Sequence, residues 1–313
     1  MEIREATEID IPKIVLVLKA SLGEDQLKLS EEVWKFKHTN NPLGKSIVLV
    51  AVKNEKIVGV RALMRWQWQQ GSKRFSALRA VDTATHPEHQ GKGIFKKLTL
   101  KAVDVAKSSN DNFIFNTPNE QSRPGYLKMG WEQVGNIYVG IKPSLSFLKP
   151  QKIDQVYNVE KKISQFQLEG LCQTWNKKLE SKPGLFTPKS ADMLKWRYED
   201  NPLQSYEVVS DIGFYLAAYV KNRGWLKELR IADFLYDENI VKKKNLQEII
   251  DKVVTKFSCH LISFSPNLIQ LSGIKGNLGP ILTLNVLNLK KEEKEDFLKV
   301  YNWNNSLGDL ELF

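Results

Sequence analysis

Residues 78–95 read Leu78-Arg79-Ala80-Val81-Asp82-Thr83-Ala84-Thr85-His86-Pro87-Glu88-His89-Gln90-Gly91-Lys92-Gly93-Ile94-Phe95. The stretch opens as the end of a strand, turns at His86-Pro87, and passes through two glycines. Ile94, Leu98, Ala102 and Val105 then follow as a helical stripe. Glycines between a strand and a helix let backbone approach a ligand, and unpaired helix N-terminal amides attract an anion. Lys92, Lys96 and Lys97 add positive charge beside that point. The hexapeptide from Gln90 to Phe95 taken alone serves equally as a turn that needs glycine for shape, with solvated lysines.

Working outward, residues 3–6 read as a short strand, and Thr7-Glu8-Ile9-Asp10 as a helix start. Residues 46–52 and 56–69 read as strands. In the second, Val58, Val60, Ala62, Met64, Trp66 and Trp68 share one face at period two. Gly71-Ser72 predicts a hairpin turn into a third strand over 74–85. Downstream come a strand at Phe113-Ile114-Phe115-Asn116, a polar segment, and one last strand over 131–141. Lys142-Pro143 and Lys149-Pro150 suggest a linker. The expected division is therefore 1–145 and 151–313.

The second half echoes the first. Trp34-Lys35-Phe36 and Asn41-Pro42-Leu43 return as Trp196-Arg197-Tyr198 and Asn201-Pro202-Leu203. Leu78-Arg79-Ala80-Val81-Asp82 returns as Leu229-Arg230-Ile231-Ala232-Asp233. Phe113-Ile114-Phe115-Asn116-Thr117-Pro118-Asn119 returns as Leu261-Ile262-Ser263-Phe264-Ser265-Pro266-Asn267. Three matches in one order, at slowly shrinking offsets, point to a duplicated fold. Opposite the glycine loop the second copy has Lys242-Lys243-Lys244, so it is expected to have lost any such site.

Composition narrows the classes. The chain has 313 residues, 42% hydrophobic and 26% charged, with 18 Gly and 12 Pro, which excludes collagen-like and disordered chains. Its 2 Cys cannot build a disulfide framework, and its 4 His lack metal-ligand spacing. No Ser-His-Asp or Cys-His arrangement is legible. The charged N-terminus and the lack of a long apolar run predict a cytoplasmic protein without a membrane partner. A net charge of +10 favours anionic ligands. Without alternating Arg and aromatics, nucleic acid is not the expected partner.

The order strand, Gln-x-x-Gly turn, helix, strand, Asn, Tyr, Gly-aromatic resembles the GNAT superfamily of acyl-CoA-dependent N-acetyltransferases. The family's Arg/Gln-x-x-Gly-x-Gly/Ala signature falls on Gln90, Gly93 and Phe95, the last a departure from a small residue. Its downstream element falls on Asn119, Tyr126, Gly130 and Trp131. The resemblance covers residues 1–142 well and the duplicate more weakly. It implies an α/β fold of two tandem GNAT-like domains, each a twisted, mostly antiparallel sheet flanked by helices.

The resemblance also implies acetyl-CoA as co-substrate, a small amine as acceptor and direct transfer in a ternary complex, with no metal. Thr83, Ala84 and Thr85 would hold the pantetheine arm and polarise the carbonyl. The amides of Gln90, Gly91, Lys92, Gly93, Ile94 and Phe95 would take the pyrophosphate, with Asn119 and Tyr126 nearby. Tyr126 would protonate the departing thiolate; its bland alternative is a tyrosine that only packs on a helix. Asp82 and Glu120 stand level as the base, with His86 a third candidate, and Asp82 has a fold role as its rival. Trp66 and Trp68 could line an acceptor site but suit packing better. The acceptor's identity and any oligomer stay open. The alternative to an enzyme is a non-catalytic module that binds acyl-CoA or a partner.

Overall fold

The computed structural model of the protein describes residues 1–22, 30–144 and 163–310. β1 (Glu2–Glu5) leads into α1 (Ile11–Leu22) through a turn that Asp10 closes, accepting from the Thr7 amide at 2.8 Å and from both Arg4 nitrogens. Next come α2 (Glu31–His38), β2 (Ile47–Lys53), and the long hairpin of β3 (Lys56–Gln70) and β4 (Lys73–Thr85). Then follow α3 (Ile94–Ser108), β5 (Phe113–Asn116), α4 (Arg123–Leu127), β6 (Glu132–Asn136) and β7 (Val139–Pro143).

The same order recurs after residue 163. It runs through α5 (Gln165–Glu180), α6 (Ala191–Leu194), β8 (Glu207–Asp211), β9 (Phe214–Arg223), β10 (Leu226–Tyr236), α7 (Lys243–Phe257) and β11 (Leu261–Phe264). The chain closes with β12 (Ile274–Gly276), β13 (Ile281–Val286), α8 (Lys291–Phe297) and α9 (Leu307–Leu310). The Asn-Pro-Leu landmarks occupy the turns that lead into β2 and β8. Asn41 Oδ1 accepts from the Leu43 amide, and Asn201 Oδ1 from that of Leu203, each at 2.9 Å.

The protein is a mixed α/β fold of two helix-flanked sheets, ordered β1-β2-β3-β4-β5-β13-β6 and β12-β7-β11-β10-β9-β8. Each sheet has one parallel pair, β4 with β5 and β10 with β11, and is otherwise antiparallel. The halves exchange strands. β13 lies between β5 and β6 in the first sheet, and β7 lies between β12 and β11 in the second. The single strand expected over 131–141 is therefore two strands in different sheets. Lys142-Pro143, expected to open a linker, ends β7, and two strands cross the expected division of the chain. Lys149-Pro150 lies outside the described residues.

Packing follows the strand alternation. α1 and α2 cover the face carrying Val60, Ala62 and Met64; α3 covers the face carrying Leu49, Leu63 and Leu78. Trp66 and Trp68 are buried in the first core, where Trp68 meets the edge of Trp303 from beyond β13. They bind the halves together. Among the described residues no helix is long and apolar enough to cross a membrane.

β13 contributes Leu282 and Leu284, both fully buried. Leu284→Ala should cost about 2–5 kcal/mol, the usual range for a buried leucine. Because β13 is paired on both edges in the first sheet, Leu284→Asp should unfold both halves in one cooperative transition. Two separated transitions, with the second half unaffected, would show that the exchanged strand does not couple them.

Candidate active site

Strand β4 is irregular where the chemistry was expected. Its register against β3 shifts between Val81 and Thr83, leaving Asp82 as the extra residue of a bulge at φ +33°. A non-glycine residue there is strained and must be held by its surroundings. Two consecutive residues at the end of α2 hold it: the Asp82 carboxylate accepts from Lys37 Nζ and, at 2.8 Å, from His38 Nε2. His38 Nδ1 meets Ser46 Oγ at 2.9 Å. Burial alone would raise the Asp82 pKa, but Lys37 and His38 together hold it well below the usual carboxylate range. Burial of His38 lowers its pKa more than Asp82 raises it, so the imidazole is neutral at pH 7.

The pairing of Asp82 with Arg79 that the repeat suggests does not form. Arg79 is turned to the carbonyls of Asp309 and Leu310. Asp233, the counterpart of Asp82, is buried between Lys189 at 2.5 Å and the Tyr198 hydroxyl at 2.9 Å. The bulge of β10 falls on Ala232.

β4 pairs with β5 only at Ala77, Leu78 and Arg79. From residue 80 onward the two strands part, and that edge of β4 has no strand beside it. At the end of this opening lies the glycine loop. Gly91 and Gly93 both have φ +72°, and a Cβ on either would meet open space. Among the described residues, no protein acceptor takes the amides of residues 91–96. They surround the N-terminus of α3, whose first turn holds no acidic residue. A cavity of about 440 Å³ joins Thr83, Ala84 and Thr85 to Gln90, Gly91 and Gly93 and the first turn of α3. Lys92 is exposed beside it and donates to the Glu88 carbonyl.

Phe95 does not block this cradle. Its ring lies edge-on to Tyr126, 5.7 Å between centroids, and covers Gly125, so the large side chain packs α3 on α4. Tyr126 is buried behind Phe95, does not itself border the cavity, and accepts a hydrogen bond from Arg61 Nη1 at 2.8 Å. Asn119 does not border the cavity; its Oδ1 accepts from the amide and the hydroxyl of Ser122, shaping the entry to α4. Glu120 is exposed on the same loop, outside the cavity. His86 borders a separate cleft beside α1.

Sequence reading missed Lys37, His38, Ser46 and Arg61. Arg61 alone left a signal: a charge two residues before Leu63 on the face of β3 that α3 covers. In the second half, α7 begins at Lys243 with no glycine before it, and the anion cradle has no counterpart. A second cavity, about 640 Å³, lies where the halves meet, between Thr117, Ile137 and Val139 on one side and Tyr219, Glu228 and Arg230 on the other.

Residues 2–134 match the family model described as an acetyltransferase (GNAT) domain. Those residues form a GNAT domain. No curated protein matches it in sequence. Among solved structures, a GCN5-related N-acetyltransferase from Anabaena variabilis has a TM-score of 0.63 at 14% identity, over 92% of this chain and 73% of that one. A conserved protein of Enterococcus faecalis, a probable N-acyltransferase, has a TM-score of 0.65 at 11% identity, over 91% and 72%. The Saccharomyces cerevisiae N-myristoyltransferase with bound myristoyl-CoA has a TM-score of 0.55 at 11% identity, over 92% and 79%. At these identities the likeness is one of fold, and it extends well past the GNAT domain into the second half.

The Lys37–Asp82–His38 clamp makes stability depend on pH. Unfolded, His38 takes up a proton near its ordinary pKa of 6.5, whereas in the fold it resists. Its contribution is therefore full above about pH 6.5 and is lost as pH falls through the folded value. Asp82 adds a second loss below about pH 4, because the fold keeps it ionised. Thermal melts from pH 8 to pH 4 should show His38→Gln flattening the first of these windows. Parallel profiles for both proteins would remove His38 from the pH response.

Proposed function

We propose that this protein is an N-acetyltransferase that moves an acetyl or related short acyl group from acetyl-CoA to a primary amine by direct transfer. The observation that carries the reading is the row of unsatisfied amides over residues 91–96, opening onto the unpaired edge of β4. An oriented row of amides at a helix N-terminus suits a pyrophosphate, and a free strand edge suits the amides of a pantetheine arm. In this reading, Thr83, Ala84 and Thr85 hold the arm and polarise the thioester carbonyl, while residues 90–95 take the pyrophosphate.

Tyr126 serves as the acid. When the amine attacks, the C–S bond breaks and the phenol proton passes to the departing sulfur. Of the two carboxylates proposed as base, Asp82 is tied to Lys37 and His38, which makes it a poor proton acceptor. Its part is to hold the bulge, and the ammonium proton leaves through Glu120 or through water. The second half, a copy without the cradle, helps shape the acceptor pocket through the cavity between the halves. Acetyl-CoA as co-substrate fits a cytoplasmic setting. A non-catalytic module is disfavoured because Phe95, the departure that suggested it, lies against Tyr126 and leaves the cradle clear.

Two measurements test the reading. Gly93→Glu puts bulk and negative charge at the cradle and a side chain at φ +72°; calorimetry should show CoA binding lost, while unchanged binding in a folded variant would overturn the cofactor site. Tyr126→Phe keeps the ring and removes one oxygen. It should lower kcat by about 100-fold or more with acetyl-CoA affinity nearly unchanged. Equal turnover with chemistry rate-limiting would remove Tyr126 from the mechanism.

A further inference from the structure

Arg61 is among the largest fully buried side chains of the protein, with none of its surface exposed. It lies on β3 opposite Thr83, the first residue after the bulge. Its guanidinium carbon is 5.3 Å from the Tyr126 ring centroid and 5.9 Å from that of Phe95. No carboxylate pairs with it among the described residues. Nη1 donates to the Tyr126 oxygen at 2.8 Å, while Nε and Nη2 have no acceptor. A buried, unpaired guanidinium is costly, and an apolar residue of similar length would fill the same space without that cost.

Resting on the reading of Tyr126 as the acid, we propose that Arg61 is a positioning residue that commits Tyr126 to proton donation. A guanidinium has five donors and no acceptor. The phenol oxygen must therefore accept in this pair, and the phenol's own proton is directed away from Arg61. When that proton passes to the departing sulfur, a phenolate remains against a fixed cation, and the neutral hydrogen bond becomes a charge-assisted one. The phenolate regains a proton from solvent, which also receives the one lost by the amine, so the cycle balances. The interaction strengthens as charge develops and contributes little when the cofactor docks. The Phe95 and Tyr126 rings, within cation–π range, help hold the guanidinium in place.

The test is a double-mutant cycle on the full chain, with Arg61→Gln, Tyr126→Phe and the combined variant. Free-CoA release from acetyl-CoA is followed with spermidine, with glucosamine and with water as the acceptor, alongside CoA affinity and Tm. Arg61→Gln should lower kcat by about 10- to 100-fold when Tyr126 is present and hardly at all when Phe occupies that position. CoA affinity should change little in either background. Arg61→Lys keeps the charge and stem without the fork, and should show the same non-additivity if Arg61→Gln fails to fold. Equal losses in both backgrounds, or unchanged kcat with Tyr126 present, would overturn the positioning role and leave Tyr126 as the acid. Unchanged turnover in Tyr126→Phe alone would overturn both.

Discussion

The hydrogen bonds that β13 makes to β5 and β6 hold the rest of the structure in place. Without this strand the first sheet would be split, and the short β5 would end at Asn116 with one edge bare. β13 closes that gap and satisfies Asn116 itself, whose side-chain oxygen accepts from Thr283 Oγ1 at 2.6 Å. The strand also brings α8 and the following turn back to the first core, where Phe297 and Trp303 pack on Phe113. β7 makes the reciprocal crossing: Gly140 sits opposite Phe264, whose ring occupies the space a side chain would need. Separating the halves would pull a strand paired on both sides out of each sheet, so the sheets share one cooperative core.

Against that frame the site depends on two departures from regular strand geometry. The bulge at Asp82 turns β4 away from its register, and the short β4–β5 pairing lets the two strands diverge. The strained backbone at Asp82 is held by Lys37 and His38 from α2, on the opposite face from α3. On the α3 side, Arg61, Tyr126 and Phe95 form one contact group, packing the helix that carries the cradle against α4. One face carries the clamp and the other the glycine loop and the Arg61–Tyr126 pair.

Much of this was written in local pattern. The period-two run of β3, the glycines before Ile94 and the strand at Phe113 are local signals, and each fell on the expected element because neighbouring residues decide it. Gly91 and Gly93 are legible because positive φ is a demand that glycine meets without strain. The family resemblance puts Asn119 near the cofactor, but it shapes a turn, because its nearest donors belong to Ser122. The fate of residues 131–141 was not legible, since one run of β-forming residues reads alike whether its ends join one sheet or two.

The sequence by itself determined the strands and helix from β2 to β5, the recurring landmarks and the two glycines before α3, all of which rest on periodicity and backbone sterics within a few residues. The tertiary structure alone decided which sheet β7 and β13 join, that Lys37 and His38 meet Asp82, and that Arg61 stands behind Tyr126. Those contacts span 44 residues for His38 and Asp82 and 65 for Arg61 and Tyr126. They exist because burial brings distant charges together, and a buried polar group must find its partner wherever the fold supplies one.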